Sequence, residues 1–312
     1  MKKHSPFSIG IIGFGWSGSG ALIDLLKKHS SVSVYPYELN FWRRPNGLYE
    51  AKTKREILIF FLNEILFSLI ITFKTLCRLL INPRALKSNL KGISIQVRIL
   101  LLLQIYFFSS IFISNIKLQK QSFIETLKIF FGRRGNVFVY DQPVFLEQVY
   151  DTHLDALNVD ACIFVLRDVF DQVKDLLDNA DFLKAKNIKE SFMLGAEDDF
   201  GSNPNSLQLQ LMLFTLKSRV NKLNELIIKY PESFLVLKFE DLVEDSNSTI
   251  SKVNRFLESR GFQSNFLDGD IANELLANSK KNIGIGRKMD CNQLSLMQEI
   301  NNDINFIVKK YE

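Results

Sequence analysis

One stretch near the amino terminus constrains the fold more than any other part of the chain. In residues 8–26 an apolar run passes into a turn of glycines and serines, and the turn passes into a helical pattern. Ile9, Ile11 and Ile12 suit a buried parallel strand, and apolar residues then recur at helical spacing from Ala21 to Lys28. N–H groups at the start of such a helix bind phosphate or sulfate well. The segment therefore predicts an anion-binding turn after the first strand of an α/β fold.

The glycines of this turn are compatible with two kinds of nucleotide-binding loop. Gly13 and Gly18 have the span of a nucleotide-triphosphate loop, but Ser19 stands where that loop needs lysine. Gly13, Gly15 and Gly18 also fit the G-x-G-x-x-G pattern of dinucleotide-binding domains, and Glu38 follows at the distance of a ribose-binding acid. The turn alone therefore leaves open a Rossmann-type, NAD-dependent oxidoreductase.

Three further segments carry recognisable patterns later in the chain. Residues 160–177 are a second buried strand that ends in Arg167 and Asp168 and continues into a helix. Residues 233–260 are a strand followed by a Glu-Asp-Leu turn and a helix, and Glu240 and Asp241 in that turn are expected to cap the helix. Residues 278–288 form a basic, glycine-containing loop. Cations near an anion-binding turn favour a phosphorylated ligand.

The four segments, in this order, resemble the PAPS-dependent sulfotransferases, which use 3′-phosphoadenosine 5′-phosphosulfate (PAPS) as sulfuryl donor. Trp16-Ser17-Gly18-Ser19-Gly20 is similar to the family's 5′-phosphosulfate loop, a basic residue followed by Ser-Gly-Thr-Thr. Arg167 stands where the family's arginine holds the 3′-phosphate. The resemblance implies that PAPS is the cofactor, without a metal, and implies these cofactor-binding residues: Gly15, Trp16, Ser17, Gly18, Ser19, Gly20, Arg167, Asp175, Lys280, Lys281, Gly284, Arg287 and Lys288.

Three positions depart from the family pattern. Trp16 replaces the basic residue of the first loop, Val169 replaces a proline, and Asp175 replaces a serine eight residues after Arg167. An acid at position 175 is expected to repel phosphate. These departures keep open a catalytically degenerate protein that binds nucleotide without turnover.

The resemblance also implies catalytic and acceptor-binding residues. The stretch of residues 29–41 is similar to the family segment whose glutamate acts as base, so Glu38 is expected to take the proton of the acceptor hydroxyl. Arg43 and Arg44 are expected to neutralise the leaving phosphate in place of Trp16, with Lys280 and Lys281 as the alternatives. Asp141 and Gln142 follow a further strand and are expected to bind the acceptor. The implied reaction is sulfation of a hydroxyl on a carbohydrate or glycolipid.

Composition bounds the class of protein and its partners. The chain has 312 residues, of which 46% are hydrophobic and 23% charged, enough for one full core. We expect a single domain over residues 1–312 in the cytoplasm, where PAPS is made. The net charge of +5 favours anionic ligands or an anionic surface, and no nucleic-acid-binding motif is present. The sequence does not fix the oligomeric state.

The expected fold is a three-layer α/β sandwich of the P-loop-like sulfotransferase type with a long apolar helical insertion. Parallel strands are predicted near 8–13, 32–37, 136–140, 161–166 and 234–239, with the ligand at their C-terminal ends. The insertion covers about 51–130. Its residues 55–128 are almost all apolar or basic, which favours peripheral contact with the inner face of a membrane, a buried helical hairpin being the alternative.

Overall fold

The computed structural model of the chain is an α/β sandwich around a parallel sheet. It describes residues 6–14, 17–28, 31–38, 48, 51–81, 97, 99–108, 111–112, 115–131, 137–141, 159–178, 206–262, 277–287 and 294–310. Its strands are β1 (Phe7–Gly13), β2 (Val32–Glu38), β3 (Val137–Asp141), β4 (Ala161–Leu166) and β5 (Phe234–Lys238). They are arranged in the order β2-β3-β1-β4-β5 and every pairing is parallel. The predicted fold class is confirmed.

Helices cover both faces of this sheet. They are α1 (Ser19–Leu26), α2 (Lys54–Ile81), α3 (residues 99–108), α4 (Ile116–Phe131), α5 (Val169–Asp178), α6 (Ser206–Lys229), α7 (Phe239–Glu244), α8 (Ser246–Ser259) and α9 (Leu294–Lys310), with a 3-10 helix at Ala277–Asn282. No helix in the described ranges is long and apolar enough to cross a bilayer.

Successive side chains of the buried strands point to opposite faces of the sheet, and the core is therefore divided into two layers. On β4, Ile163 and Val165 pack with α1, α7 and α8, whereas Phe164 and Leu166 pack on the opposite face with α6 and α9. Because both faces are covered, β4 is buried along its whole length, which explains its uninterrupted apolar sequence. Helices α2, α3 and α4, which belong to the predicted insertion, share the second layer.

The parallel arrangement brings all five C-terminal strand ends to one edge. β1 lies in the middle of the sheet, with β3 and β2 on one side and β4 and β5 on the other. Each step between neighbouring strands is about 4.8 Å. The segments that leave β1, β4 and β5 are therefore close enough to build one site.

Candidate functional site

The turn after β1 has the features of an anion-binding site. Gly18 adopts φ +84°, and a Cβ built on it would lie 2.2 Å from the Phe239 ring, so only glycine fits there. Ser17 is buried, at 2% exposure, and its hydroxyl has no hydrogen-bond partner among the described residues. Gly20, by contrast, is exposed and a Cβ on it would meet open space. A buried hydroxyl beside the start of α1 is suited to an anionic oxygen.

Helix α5 holds this turn in place. The Gln172 side chain donates a hydrogen bond from Nε2 to the carbonyl oxygen of Phe14, and both residues are buried. A side chain of the helix that follows β4 thus fixes the beginning of the turn that follows β1. The link ties the two strand ends together independently of any ligand.

Arg167, the first residue after β4, is buried and is held by contacts with protein groups. Its guanidinium donates to Asp175 Oδ2 at 2.7 Å and to the carbonyl oxygen of Asn282 at 2.8 Å. Its Cζ atom lies 5.2 Å from the centroid of the Phe239 ring. The side chain is 3% exposed. Asp175 therefore compensates the buried charge of Arg167, a role different from the repulsion of phosphate that the sequence suggested.

Phe239 joins the first turn to Arg167. One contact of its ring is with Gly18 and another is with the Arg167 guanidinium. The helix start of α1 and the cation at the end of β4 therefore lie against one aromatic side chain. Two candidate anion-binding residues, Gly18 and Arg167, are 149 positions apart in sequence and are brought together at the central part of the sheet edge.

The basic glycine loop is docked on the first turn of α5. The Asp171 carboxylate accepts hydrogen bonds from the Gly284 amide at 2.6 Å and the Gly286 amide at 2.8 Å. Gly284 adopts φ +75°, and a Cβ on Gly286 would lie 2.2 Å from the Phe170 backbone. Both glycines therefore let the loop backbone pack on Asp171 and Phe170, and the role of Gly284 in binding the cofactor stays a prediction.

The cations of this loop point to solvent. Lys280, Lys281 and Arg287 are exposed, and the loop lies beside Arg167 through the Asn282 carbonyl. None of the three forms an ion pair within the described part of the chain, so their charges are available there to a ligand at the edge. Lys288 lies outside the described residues.

Two carboxylates, Asp168 and Glu240, form hydrogen bonds that stabilise the segments after β4 and β5. Asp168 caps α5 by accepting from the amides of Phe170 and Asp171, and Asn301 of α9 donates to its other oxygen at 2.7 Å. Glu240 accepts from the Asp168 amide at 3.0 Å. The prediction that Glu240 and Asp241 cap the helix after their turn was wrong: that helix is α8, and its cap is Asp245, which accepts a hydrogen bond from the Ser248 amide.

The surroundings of Glu240 also change the pKa of its carboxyl group. Burial raises its pKa, and the hydrogen bond from the Asp168 amide acts in the opposite direction. Its Oε2 atom is buried without a partner in the described part of the chain. The Glu240 residue lines a cavity of about 380 Å³ together with Lys238, Ile283 and Arg287. This volume is in the range of small-molecule sites.

The predicted base and acceptor residues belong to the other half of the edge. Glu38 is the last residue of β2 and Asp141 the last of β3, and the two are paired in register. Only their backbones are described. Six predicted site residues lie outside the described residues: Gly15, Trp16, Arg43, Arg44, Gln142 and Lys288.

The structure adds residues that sequence patterns did not indicate. Phe239 and Asn282 contact Arg167, Asp171 holds the glycine loop, and Gln172 holds the first turn. The available signal was weak: Asp171 and Gln172 lie in the first turn of a helix that follows a predicted anion-binding strand end.

Comparisons with known proteins give little beyond the architecture. No protein-family model matches the chain, and no characterised protein matches it in sequence. Among solved structures, the sulfotransferase domain from the Synechococcus PCC 7002 olefin synthase is similar over 96% of this chain and 94% of that domain, with 12% sequence identity and a TM-score of 0.44. A similarity at this level carries no information about activity.

Proposed function

We propose that this protein is a sulfotransferase that transfers the sulfuryl group of PAPS to a hydroxyl of a carbohydrate or glycolipid. The observation that carries the proposal is the meeting of the first turn and Arg167 on Phe239. PAPS is charged at both ends, with a phosphosulfate at the 5′ position and a phosphate at the 3′ position. A helix start with a buried hydroxyl and a separate guanidinium match these two ends.

The described residues fit such a ligand in chemistry. The Ser17 hydroxyl and the amides at the start of α1 would bind the 5′ oxygens, assisted by Ser19 and Gly20. Arg167 would bind the 3′-phosphate, and the exposed Lys280, Lys281 and Arg287 would add positive charge over the nucleotide. Gly15, Trp16 and Lys288 complete the proposed set from the flanking sequence.

Sulfuryl transfer then needs a base and a cation. PAPS supplies an activated sulfuryl group bonded to a phosphate leaving group. Glu38 would take the acceptor proton while the hydroxyl oxygen bonds to sulfur, and the bond from sulfur to the phosphate oxygen breaks on the opposite side. Arg43 and Arg44 would neutralise the charge that develops on that oxygen.

The division of the sheet edge supports this assignment of roles. Glu38 and Asp141 end the two strands on one side of β1, whereas Arg167 directly follows β4, the neighbouring strand on the other side. With about 4.8 Å between strands, an acceptor held by Asp141 and Gln142 would approach a donor bound over β1 and β4 from the side of the base. A cytoplasmic location would provide PAPS.

The strand order disfavours the oxidoreductase alternative. In a dinucleotide-binding domain the acid that binds the ribose follows a strand adjacent to the first strand. Here β3 lies between β1 and β2, so Glu38 is displaced from the first turn by a whole strand. Adenosine 3′,5′-bisphosphate is therefore the preferred test ligand over NAD.

Calorimetric titration of adenosine 3′,5′-bisphosphate tests the proposed site, with NAD as the competing ligand. We expect binding by the wild-type chain, loss of binding in Arg167→Ala, and no displacement by NAD. Circular dichroism must show that the variant is folded, because Arg167 is buried in an ion pair. Preference for NAD, or no binding by the folded wild type, would refute the proposal.

Asp175 gives a test in the opposite direction. In Asp175→Ser the guanidinium loses its internal carboxylate and regains capacity for phosphate, so we expect about tenfold tighter binding of the bisphosphate. Asp178→Ser on the same helix is the matched control, since the one ion-pair partner of Asp178 among the described residues is Lys174 on the surface. If both variants and the wild type bind the bisphosphate with equal affinity, Arg167 does not bind its phosphate.

The Arg167–Asp175 ion pair favours one second candidate function, a degenerate protein that binds nucleotide without turnover. Transfer of labelled sulfate from PAPS to a panel of glycans separates the two. We expect turnover that falls at least a hundredfold in Glu38→Gln and in the Arg43→Ala/Arg44→Ala double variant, with bisphosphate affinity kept in Glu38→Gln. Binding without turnover on any acceptor would support the degenerate function.

A further inference from the structure

Helices α2 and α3 expose a concentration of large apolar side chains. Thirteen of the eighteen large hydrophobic residues exposed in the described part of the chain lie between residues 59 and 118. On α2 they recur every three or four residues, apart from the adjacent Leu69 and Ile70, and form one stripe; exposed residues on and next to α3 have the same spacing. We call the two stripes together the insertion surface; its members are Ile59, Leu62, Leu66, Leu69, Ile70 and Phe73, and Val97, Leu101, Ile105, Phe108 and Phe112.

The opposite faces of both helices are buried in the protein. Ile57 and Phe61 on α2, with Leu102 and Tyr106 on α3, belong to the core layer that also contains Phe123 of α4. Both helices are therefore apolar on two sides, and only one of these sides packs on protein. The outward stripe is not required by the internal core.

Contacts between the helices place the two stripes side by side. The Lys54 ammonium donates to the Ile111 carbonyl, and the Phe61 and Tyr106 ring centroids are 6.2 Å apart. Later residues of α2 thus contact earlier residues of α3, so the two helices are antiparallel. Leu66 and Leu101 occupy matching positions in this arrangement, as do Leu62 and Ile105.

Charge is strongly segregated in the same part of the chain. Residues 51–128 hold twelve Lys or Arg and three Asp or Glu, a formal charge of +9. Since the whole chain carries +5, the remaining residues together carry −4. Lys52 and Arg55 are exposed at the start of α2, and Arg55 precedes Ile59 by one helical turn on the same face. Lys52, Lys54 and Arg55 thus place three exposed cations at one end of the insertion surface, whereas Lys128 is buried and paired with Glu125.

We propose that the insertion surface docks on an anionic phospholipid bilayer, with α2 and α3 lying in the interface plane. Apolar side chains on one face and basic residues around them are the two requirements for interfacial attachment to anionic lipid. An apolar protein partner would use the stripes but would not need the excess of twelve cations over three acids. The inference does not depend on the proposed sulfotransferase activity.

Co-sedimentation with vesicles tests the proposal without any nucleotide. Wild-type protein is mixed with vesicles of phosphatidylcholine alone or of phosphatidylcholine with phosphatidylglycerol. We expect binding to the mixed vesicles that weakens as salt is added, and about tenfold weaker binding to the neutral vesicles. Equal binding to both vesicle types would contradict the role given to the cations.

Matched pairs of exposed residues provide the variants. Leu66→Glu/Ile105→Glu changes side chains that are 51% and 59% exposed on the insertion surface, and we expect at least tenfold weaker vesicle binding. The control is Phe214→Glu/Ile228→Glu, at 50% and 56% exposure on α6, which should bind as the wild type does. Because all four positions are exposed, both variants should fold.

A Phe108→Trp variant reports the location of the surface directly. Its emission should shift to shorter wavelength and be quenched by brominated lipid when anionic vesicles are added. The alternative partner of the insertion surface is a second copy of the chain. Light scattering in the absence of lipid tests for such a dimer. A stable dimer that the Leu66→Glu/Ile105→Glu variant abolishes, together with no vesicle binding, would overturn the proposal.

Discussion

At the scale of single residues, Gly18 is a position where the backbone conformation and the packing both require glycine. Its φ of +84° disfavours any side chain, and a Cβ would collide with Phe239 at 2.2 Å. We expect Gly18→Ala to lower the free energy of unfolding by about 1–3 kcal/mol and to weaken bisphosphate binding, because the ring must move away from the turn. Urea unfolding and calorimetry measure the two effects.

Gly20→Ala is the matched control two residues later. Gly20 is exposed, and a Cβ there meets nothing within 4 Å. We expect a change of less than about 0.5 kcal/mol, since a surface substitution without contacts rarely has a larger effect. If both alanines destabilise the protein equally, the contact with Phe239 is not the cause.

Glu240 gives a prediction about pH at the same scale. Burial raises the pKa of its carboxyl in the folded state, so the stability associated with this group is present at low pH and is lost as pH rises through the folded pKa. Glu240→Gln cannot ionise and should therefore gain stability relative to the wild type as pH increases from 4 to 8. Urea midpoints of both proteins across that range provide the measurement, and a constant difference would contradict it.

At the scale of elements, the sequence predicted the strands well and the contacts between loops poorly. Predicted β4, 161–166, is identical to the observed strand, because a fully buried strand is an apolar run with polar ends. The contact between Asp171 and Gly284 joins positions 113 residues apart, and no local pattern encodes it. The Arg167–Asp175 pair was missed for a related reason: the family pattern predicted a serine, and only the geometry of a strand end and a helix shows that an acid can pair there.

The docking of the glycine loop on α5 depends on Asp171. This buried carboxylate accepts two amide hydrogen bonds, and Asp171→Ala would leave the Gly284 and Gly286 amides without it. We expect a loss of about 2–5 kcal/mol in the free energy of unfolding, because bonds to a charged acceptor are worth about 1.5–3 kcal/mol each. Hydrogen exchange of residues 277–287 should also become faster in the folded protein.

Asp178→Ala is the control for this element. Asp178 lies at the other end of α5 and makes only an exposed pair with Lys174 among the described residues. We expect a loss of at most about 0.5 kcal/mol and unchanged exchange in the glycine loop. Faster exchange in both variants would indicate general destabilisation of α5, and would remove the specific role assigned to Asp171.

At the scale of the whole molecule, the proposed ligand would connect three distant parts of one chain. Ser17 follows β1, Arg167 follows β4 and Lys280 lies near the C-terminal end, so a nucleotide bound to all three stabilises the entire sheet. The insertion should respond as well, because Phe61 and Phe123 belong to the same core layer as Tyr140 of β3. We therefore expect residues 1–312 to unfold in one transition, and we expect adenosine 3′,5′-bisphosphate to raise the free energy of that transition.

Linkage gives the size of this shift. At a ligand concentration of about 100 times Kd the free energy of unfolding should rise by about 2.7 kcal/mol, and NAD at the same concentration should leave it unchanged. Hydrogen exchange in increasing urea follows α2, α4 and β4 separately in the same sample. If α2 and α4 lose protection before β4, and only β4 responds to the ligand, then the helical insertion is an independent folding unit, the single-domain prediction is wrong, and the nucleotide site belongs to the sheet alone.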